Sequence, residues 1–124
     1  MTDDCIFCRI VNREIPAPLL AENELAVAFR DLDPKAPTHV LVVPRRHVAS
    51  LAEADDPAEL GAVLTLAAQV ARLEGIEESG YRTVLNTGQN GGQSVFHLHA
   101  HVLGGRLMHW PPGCIGSFPL SNRW

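Results

Sequence analysis

One heptapeptide constrains this chain more than any other stretch: His97-Leu98-His99-Ala100-His101-Val102-Leu103 alternates polar with apolar at a period of two. An extended strand sends all three imidazoles out of one face and Leu98, Ala100 and Val102 into a core. Successive rings then start roughly 6.6 to 7 Å apart, so neighbours reach one cluster of phosphate oxygens from two sides. A tetrahedral ion shared by the three is disfavoured, because same-face positions on a flat strand do not converge on a point. A lone histidine reads as an ordinary hydrogen-bonded residue. Three of the chain's six on one strand face point to chemistry.

Just upstream lies Thr87-Gly88-Gln89-Asn90-Gly91-Gly92-Gln93-Ser94. Its glycines permit the φ values that aim the amides of Gln93, Ser94 and Val95 at an anion. Taken alone this is an ordinary glycine turn. Its weight comes from abutting the histidines.

The remaining chain reads as a frame for that strand. A short helix is expected over Cys5 to Asn12, capped by Asp3 or Asp4, with Ile6, Phe7 and Ile10 as its apolar side. Pro16 and Pro18 impose extended chain. Leu19 to Glu22 and Leu25 to Arg30 form a hairpin about Asn23-Glu24, and His39 to Val43 is a central strand ended by Pro44. Ser50 and Glu53 make a capping box for a short turn, and Asp56 before Pro57 starts a longer helix to about Leu73, closed by Gly75. Leu60, Val63, Leu64, Ala67, Val70 and Ala71 recur at helical steps and should pack on the sheet. Tyr81 to Asn86 and Phe96 to Leu103 supply two further strands. The class is α+β, an antiparallel sheet with helices on one side. Exposed Trp110 and Trp124 in an irregular tail suit cover by a partner chain.

With 124 residues, 46% hydrophobic and 19% charged, one globular domain over residues 1–124 is expected. The net charge of -4, with basic residues scattered apart from Arg45-Arg46, offers no stripe for a polynucleotide. No apolar run reaches the roughly 18 residues that span a bilayer, and the acidic start Met1-Thr2-Asp3-Asp4 is unlike a signal peptide, so a cytoplasmic protein is expected. An odd cysteine count in such a compartment argues against disulfides. Cys5 and Cys8 have the spacing of half a zinc site and need two further ligands. Cys114 is expected to be a free thiol.

The segment from Gly92 to Arg106, with Arg13-Glu14-Ile15-Pro16-Ala17, Ala28-Phe29-Arg30-Asp31, Ala36-Pro37-Thr38-His39 and Met108-His109-Trp110-Pro111-Pro112-Gly113, resembles the histidine triad superfamily, its Hint branch above all. The resemblance runs over about residues 5–113; residues 114–124 extend beyond the pattern. It implies a five-stranded antiparallel sheet with one long and one short helix, joined with a second copy into a ten-stranded sheet across a homodimer. The implied activity is hydrolysis of purine nucleoside 5′-phosphoramidates through a nucleotidyl-histidine intermediate. Sibling branches imply the alternative of a dinucleoside polyphosphate hydrolase or phosphorylase; a third reading, of another class, is a regulatory module that binds AMP without turnover.

By the match His99 is the nucleophile, His101 binds phosphoryl oxygens, and His39 supports the triad, with His97 and Ser94 completing the catalytic set. A second, protonated histidine and the turn amides, Gly92 to Val95, are expected to stabilise phosphoryl charge. Asp31 matches a ribose-binding carboxylate; Ile6, Phe7, Ile10, Phe29 and Leu32 match the purine pocket. Asn86 and Ser94 match polar contacts to phosphate or ribose, and Trp110 matches a tryptophan reaching across the dimer. Many bacterial members complete a structural zinc site at positions that here are Cys5, Cys8, His47 and His97. The resemblance implies that this metal is not needed for the chemistry.

Overall fold

The computed structural model describes residues 4–113. Five strands, β1 (Leu19–Glu22), β2 (Ala26–Arg30), β3 (Thr38–Pro44), β4 (Tyr81–Val84) and β5 (Ala100–Gly104), form an antiparallel sheet in the order β1-β2-β3-β5-β4. Helix α1 (Ile6–Val11) precedes the sheet, and α2 (Pro57–Leu73) connects β3 to β4 after a short 3-10 turn at Leu51–Glu53. The hairpin closes at Asn23 because its side-chain oxygen accepts from the amides of Leu25 and Ala26, at 3.0 and 2.8 Å.

The central place expected for β3 is the place it takes. It pairs with β2 on one side and β5 on the other, with Val40 opposite Val102 and Leu41 opposite His101. Residue alternation divides the core in two. Ala26, Ala28, Val40, Val42, Ala100 and Val102 lie under Val63, Leu66, Ala67 and Val70 of α2. Val27, Phe29, Leu41 and Val43 face the other way and are covered by Phe7 and Ile10 of α1. The two helices therefore sit on opposite faces, not on one side as the sequence suggests. The physical reason is that β2 and β3 are apolar on both faces, so each face needs cover.

Local chemistry explains the helix ends. The Asp56 carboxylate accepts from the Ala58 amide at 3.0 Å with Pro57 at the first helical position, and the Ser50 hydroxyl accepts from the Ala52 amide at 3.2 Å. Asp3 lies outside the described residues, and Asp4 is not the cap of helix α1. The helix begins at Ile6, so the Cys5 sulfur occupies the cap and accepts from the Cys8 amide at 3.3 Å. In α2 the expected stripe is shifted: Leu66 is fully buried while Leu64 is 51% exposed. Either leucine continues a helical period, and contact with the sheet selects Leu66.

The last two strands are shorter than expected, ending at Val84 and beginning at Ala100. Phe96 to His99 pair with no strand. They are held by the Leu98 amide, which donates to the Val48 carbonyl at 2.6 Å.

Candidate active site and metal centre

The period-two pattern survives even where the ladder stops: Leu98, Ala100 and Val102 all enter the core beneath α2. On the other face the three histidines do not form one even row. His97 is fully buried and turned toward α1, its ring 6.0 Å from that of Phe7. His99 and His101 stand 4.8 Å apart by ring centroid and line a hollow of about 790 Å³, with His39 from β3 beside them. Turning toward one another brings these rings closer than an ideal strand spacing.

Hydrogen-bond partners fix which nitrogen of each ring carries the proton. A carbonyl can only accept, so His97 Nε2–H donates to the Pro44 carbonyl at 2.9 Å, leaving Nδ1 bare. By the same logic His99 Nδ1–H donates to the main-chain carbonyl of His97 at 2.7 Å, leaving Nε2 as the bare nitrogen. For His39 the order is reversed. The Lys35 amide donates to its Nδ1 at 2.9 Å, so its Nε2–H donates to His101 Nδ1, also at 2.9 Å. The Asp31 carboxylate lies 3.3 Å from that Nε2. His101 must then hold its proton on Nε2, the one buried side-chain polar atom among the described residues without a partner. The site thus offers a lone pair on His99 next to an unpaired N–H on His101.

Both supporting rings are neutral at pH 7. Burial pushes His101 down to about 4, helped by the neighbouring His99 and His39. Burial also lowers His39, against the pull of Asp31. As a neutral ring His101 still carries a donor, Nε2–H. The cations at the rim are committed elsewhere: Arg30 to Glu74 at 2.6 Å and Lys35 to Asp33 at 2.9 Å. The unpartnered donor beside the hollow is therefore the neutral His101 Nε2–H.

Of the residues expected around a nucleotide, Ile6, Phe7, Ile10, Phe29, Asp31 and Leu32 line the hollow, as do Asn86, Gly92, Ser94, Val95, His99 and His101. Phe7 packs edge-on against Phe29 at 5.5 Å and against His99 at 5.1 Å. Asp31 has two engagements, since its Oδ1 also accepts from the Asp33 amide at 2.8 Å. Gln93 does not line the hollow. Its amide donates to the Gly88 carbonyl and its side chain bridges Gly88, Ala49 and Val95, so it braces the turn. The amides of Ser94 and Val95 find no acceptor among the described residues. Trp110 lies away from the hollow, 69% exposed, with the Arg82 guanidinium 5.9 Å from its ring. Trp124 and Cys114 lie outside the described residues. A wall that residue-by-residue reading missed is Ile15 to Pro18; its signal was the Pro16 and Pro18 pair, which holds that chain extended.

A second cluster lies behind the histidines. The ligand atoms of Cys5, Cys8, His47 and His97 are all within 4.8 Å of one another. Cys5 Sγ is 3.2 Å and Cys8 Sγ 3.4 Å from His97 Nδ1, and Cys8 Sγ is 3.3 Å from His47 Nδ1. Burial pushes His97 down to about 4, so its inward Nδ1 lone pair stays available. Two thiols and two imidazole nitrogens converging at this range suit a tetrahedral metal ion. His47 is presented by the turn after β3, where Arg46 grips the buried Glu59 of α2 at 2.9 and 3.2 Å. Asp31, His39 and His101 also bring ligand atoms within 4.8 Å, but there the facing nitrogens share a proton.

The sequence and fold have clear relatives. An uncharacterized HIT-like protein of Synechococcus elongatus is 51% identical over 115 residues, spanning 91% of this chain and all of that protein. The purine nucleoside phosphoramidase of Escherichia coli is 44% identical over 108 residues, 86% of this chain and 91% of the relative. A HIT family hydrolase from Legionella pneumophila has a similar structure, with a TM-score of 0.84 at 46% identity over 88% of this chain and 99% of that one. The HIT domain model itself matches residues 12–108, taking in β1 to β5, His39 and all three clustered histidines. The chain belongs to the HIT domain family.

Proposed function

We propose that this protein hydrolyses purine nucleoside 5′-phosphoramidates in two displacements at phosphorus, with His99 as nucleophile. The observation that carries the reading is the pairing of a bare His99 Nε2 with an unpartnered His101 Nε2–H beside one hollow. The His99 lone pair attacks the α-phosphorus and forms a P–Nε2 bond. The P–N bond to the leaving amine breaks, and the amine takes the bonding pair with the proton that an N-protonated phosphoramidate carries in. Water then attacks phosphorus and gives up a proton to solvent, the P–Nε2 bond breaks with its electron pair returning to Nε2, and the nucleoside monophosphate leaves with His99 restored. His101 Nε2–H and the Ser94 and Val95 amides donate to the phosphoryl oxygens, which gain charge in both steps. Asp31 accepts from the ribose hydroxyls, and Ile6, Phe7, Ile10, Phe29 and Leu32 enclose the base. The name of the Escherichia coli relative supports the substrate class.

The Cys5, Cys8, His47 and His97 cluster fits a zinc ion, because the proton of His97 is spent on Pro44 and the opposite nitrogen faces both sulfurs. Zinc held there supplies a tether between α1 and the site and no bond-making step. The active form is a cytoplasmic homodimer with the two sheets continuous, which gives the exposed Trp110 a neighbour.

The test is release of AMP from adenosine 5′-phosphoramidate by wild type and His99→Asn, run beside a dinucleoside polyphosphate. Turnover of the phosphoramidate alone, abolished in the variant, is expected. Faster cleavage of the polyphosphate, undiminished turnover by His99→Asn, or AMP binding with no turnover overturns the proposal.

A further inference from the structure

We infer that the Cys5, Cys8, His47 and His97 cluster positions the nucleophile, with metal-held His97 acting through its own backbone carbonyl on the tautomer of His99. The inference rests on the reading of His99 as nucleophile.

His97 is fastened at three points. Its Nδ1 meets the Cys5 and Cys8 sulfurs, its Nε2–H donates to the Pro44 carbonyl, and its main-chain oxygen accepts from His99 Nδ1–H at 2.7 Å. The last contact decides which nitrogen of His99 is bare. Thiols are weak hydrogen-bonding partners, so without a metal the His97 ring is anchored firmly at one nitrogen only. Ligation replaces that weak contact with a bond and fixes the peptide to which His99 is tied.

The same cluster reaches His99 from a second direction. Helix α1 has six residues, too few to persist in isolation, and both its cap Cys5 and its Cys8 are cluster members. Between them stands Phe7, whose ring meets His99 edge-on at 5.1 Å. Ile6 and Ile10 of this helix also wall the hollow. Releasing the cysteines frees the aromatic side of the nucleophile as well as its carbonyl anchor.

His101 provides an internal contrast. Its tautomer descends from the Lys35 amide through His39, a route that touches none of the cluster residues. A role confined to overall stability treats the two rings alike, whereas the inferred role separates them.

The experiment uses the full chain with 15N-labelled histidine, loaded with Zn2+, stripped by a chelator, and reloaded with Zn2+ or Co2+. His47→Asn, which removes a ligand remote from the hollow, is measured beside it. On stripping, the His99 ring is expected to pass from the Nδ1–H form to a mixture while His101 stays Nε2–H. AMP affinity and phosphoramidate turnover each fall about tenfold or more. Reloading restores wild type but not His47→Asn.

Failure to take up Zn2+, an unchanged His99 ring with unchanged AMP affinity, or both rings shifting together overturns the inference. If His47→Asn does not fold, the strip-and-reload series decides alone. If no phosphoramidate is turned over in any state, the proposed activity falls, and the ring signals and AMP affinity still decide whether the cluster governs His99.

Discussion

His39→Ala isolates the part of the site that depends on a single side chain. In the native protein His39 Nε2–H donates to His101 Nδ1, and that bond keeps the His101 proton on Nε2, the buried nitrogen without a partner. Deletion leaves a largely buried nitrogen without a donor, at a cost of about 1–3 kcal/mol in stability. The ring relieves that cost by moving its proton to Nδ1 or by admitting water into the space left by the imidazole. Moving the proton turns His101 Nε2 from a donor into a lone pair opposing the phosphoryl oxygens. Complete loss of one such donor costs about 10²- to 10³-fold in kcat. Because a water in the vacated space restores part of the donor population, the lower end, about 10²-fold, is expected. His39→Gln keeps an N–H within reach of His101 and should recover about tenfold of that loss. The assay is steady-state release of AMP from adenosine 5′-phosphoramidate at neutral pH, with urea unfolding of each variant alongside. Turnover by His39→Ala within about threefold of wild type refutes the relay.

Asp31→Asn should raise KM for the ribonucleoside substrate about tenfold and narrow its advantage over the 2′-deoxy analogue; an unchanged preference places ribose recognition elsewhere. Acid should destabilise the fold through His101. Burial lowers its folded value from 6.5 to about 4, so the unfolded chain protonates first. Stability is then complete above about pH 6.5 and declines toward pH 4, by about 1–2 kcal/mol once solvent screening of a partly accessible ring is allowed for. Urea midpoints that hold level or rise from pH 7 to pH 5 contradict that assignment. Leu66→Ala should cost about 2–5 kcal/mol against under about 1 for Leu64→Ala, since only Leu66 is fully buried. A larger loss for Leu64→Ala than for Leu66→Ala in urea unfolding would mean the helix is phased as the sequence suggests.

Features set by local chemistry were legible in the sequence. Asp56-Pro57 starts α2, Asn23 closes the hairpin, and the apolar run from His39 to Val43 occupies the centre of the sheet. The period-two pattern from His97 placed alternate side chains on opposite faces, although the hydrogen-bonded strand begins only at Ala100. Features set by contacts distant in sequence were not. The choice between Leu64 and Leu66 depends on where α2 meets the sheet. The side on which α1 lies depends on the apolar underside of β2 and β3. Gln93 resembles an anion-binding position until the carbonyls of Ala49 and Val95 claim its side chain. The His39 and His101 rings are 62 residues apart in sequence, and Cys5 is 92 from His97. Family resemblance, not spacing, joined Cys5, Cys8, His47 and His97 as candidate metal ligands.

Three identical residues on one face acquire three chemistries because a different atom holds each ring. His97 is tied by a backbone carbonyl and keeps a lone pair for the cysteine cluster. His99 is tied by another backbone carbonyl and keeps one on Nε2, its ring lining the hollow. His101 accepts from a side chain and is left with a proton instead. Substituting Pro44 or His97 does not delete its main-chain oxygen, so those two tautomers depend on how the backbone is positioned. The third can be changed by replacing His39 alone. A loss of turnover in His39→Ala without a change in the His99 ring, and a loss on metal removal without a change in the His101 ring, would be two failures of one site with separable causes.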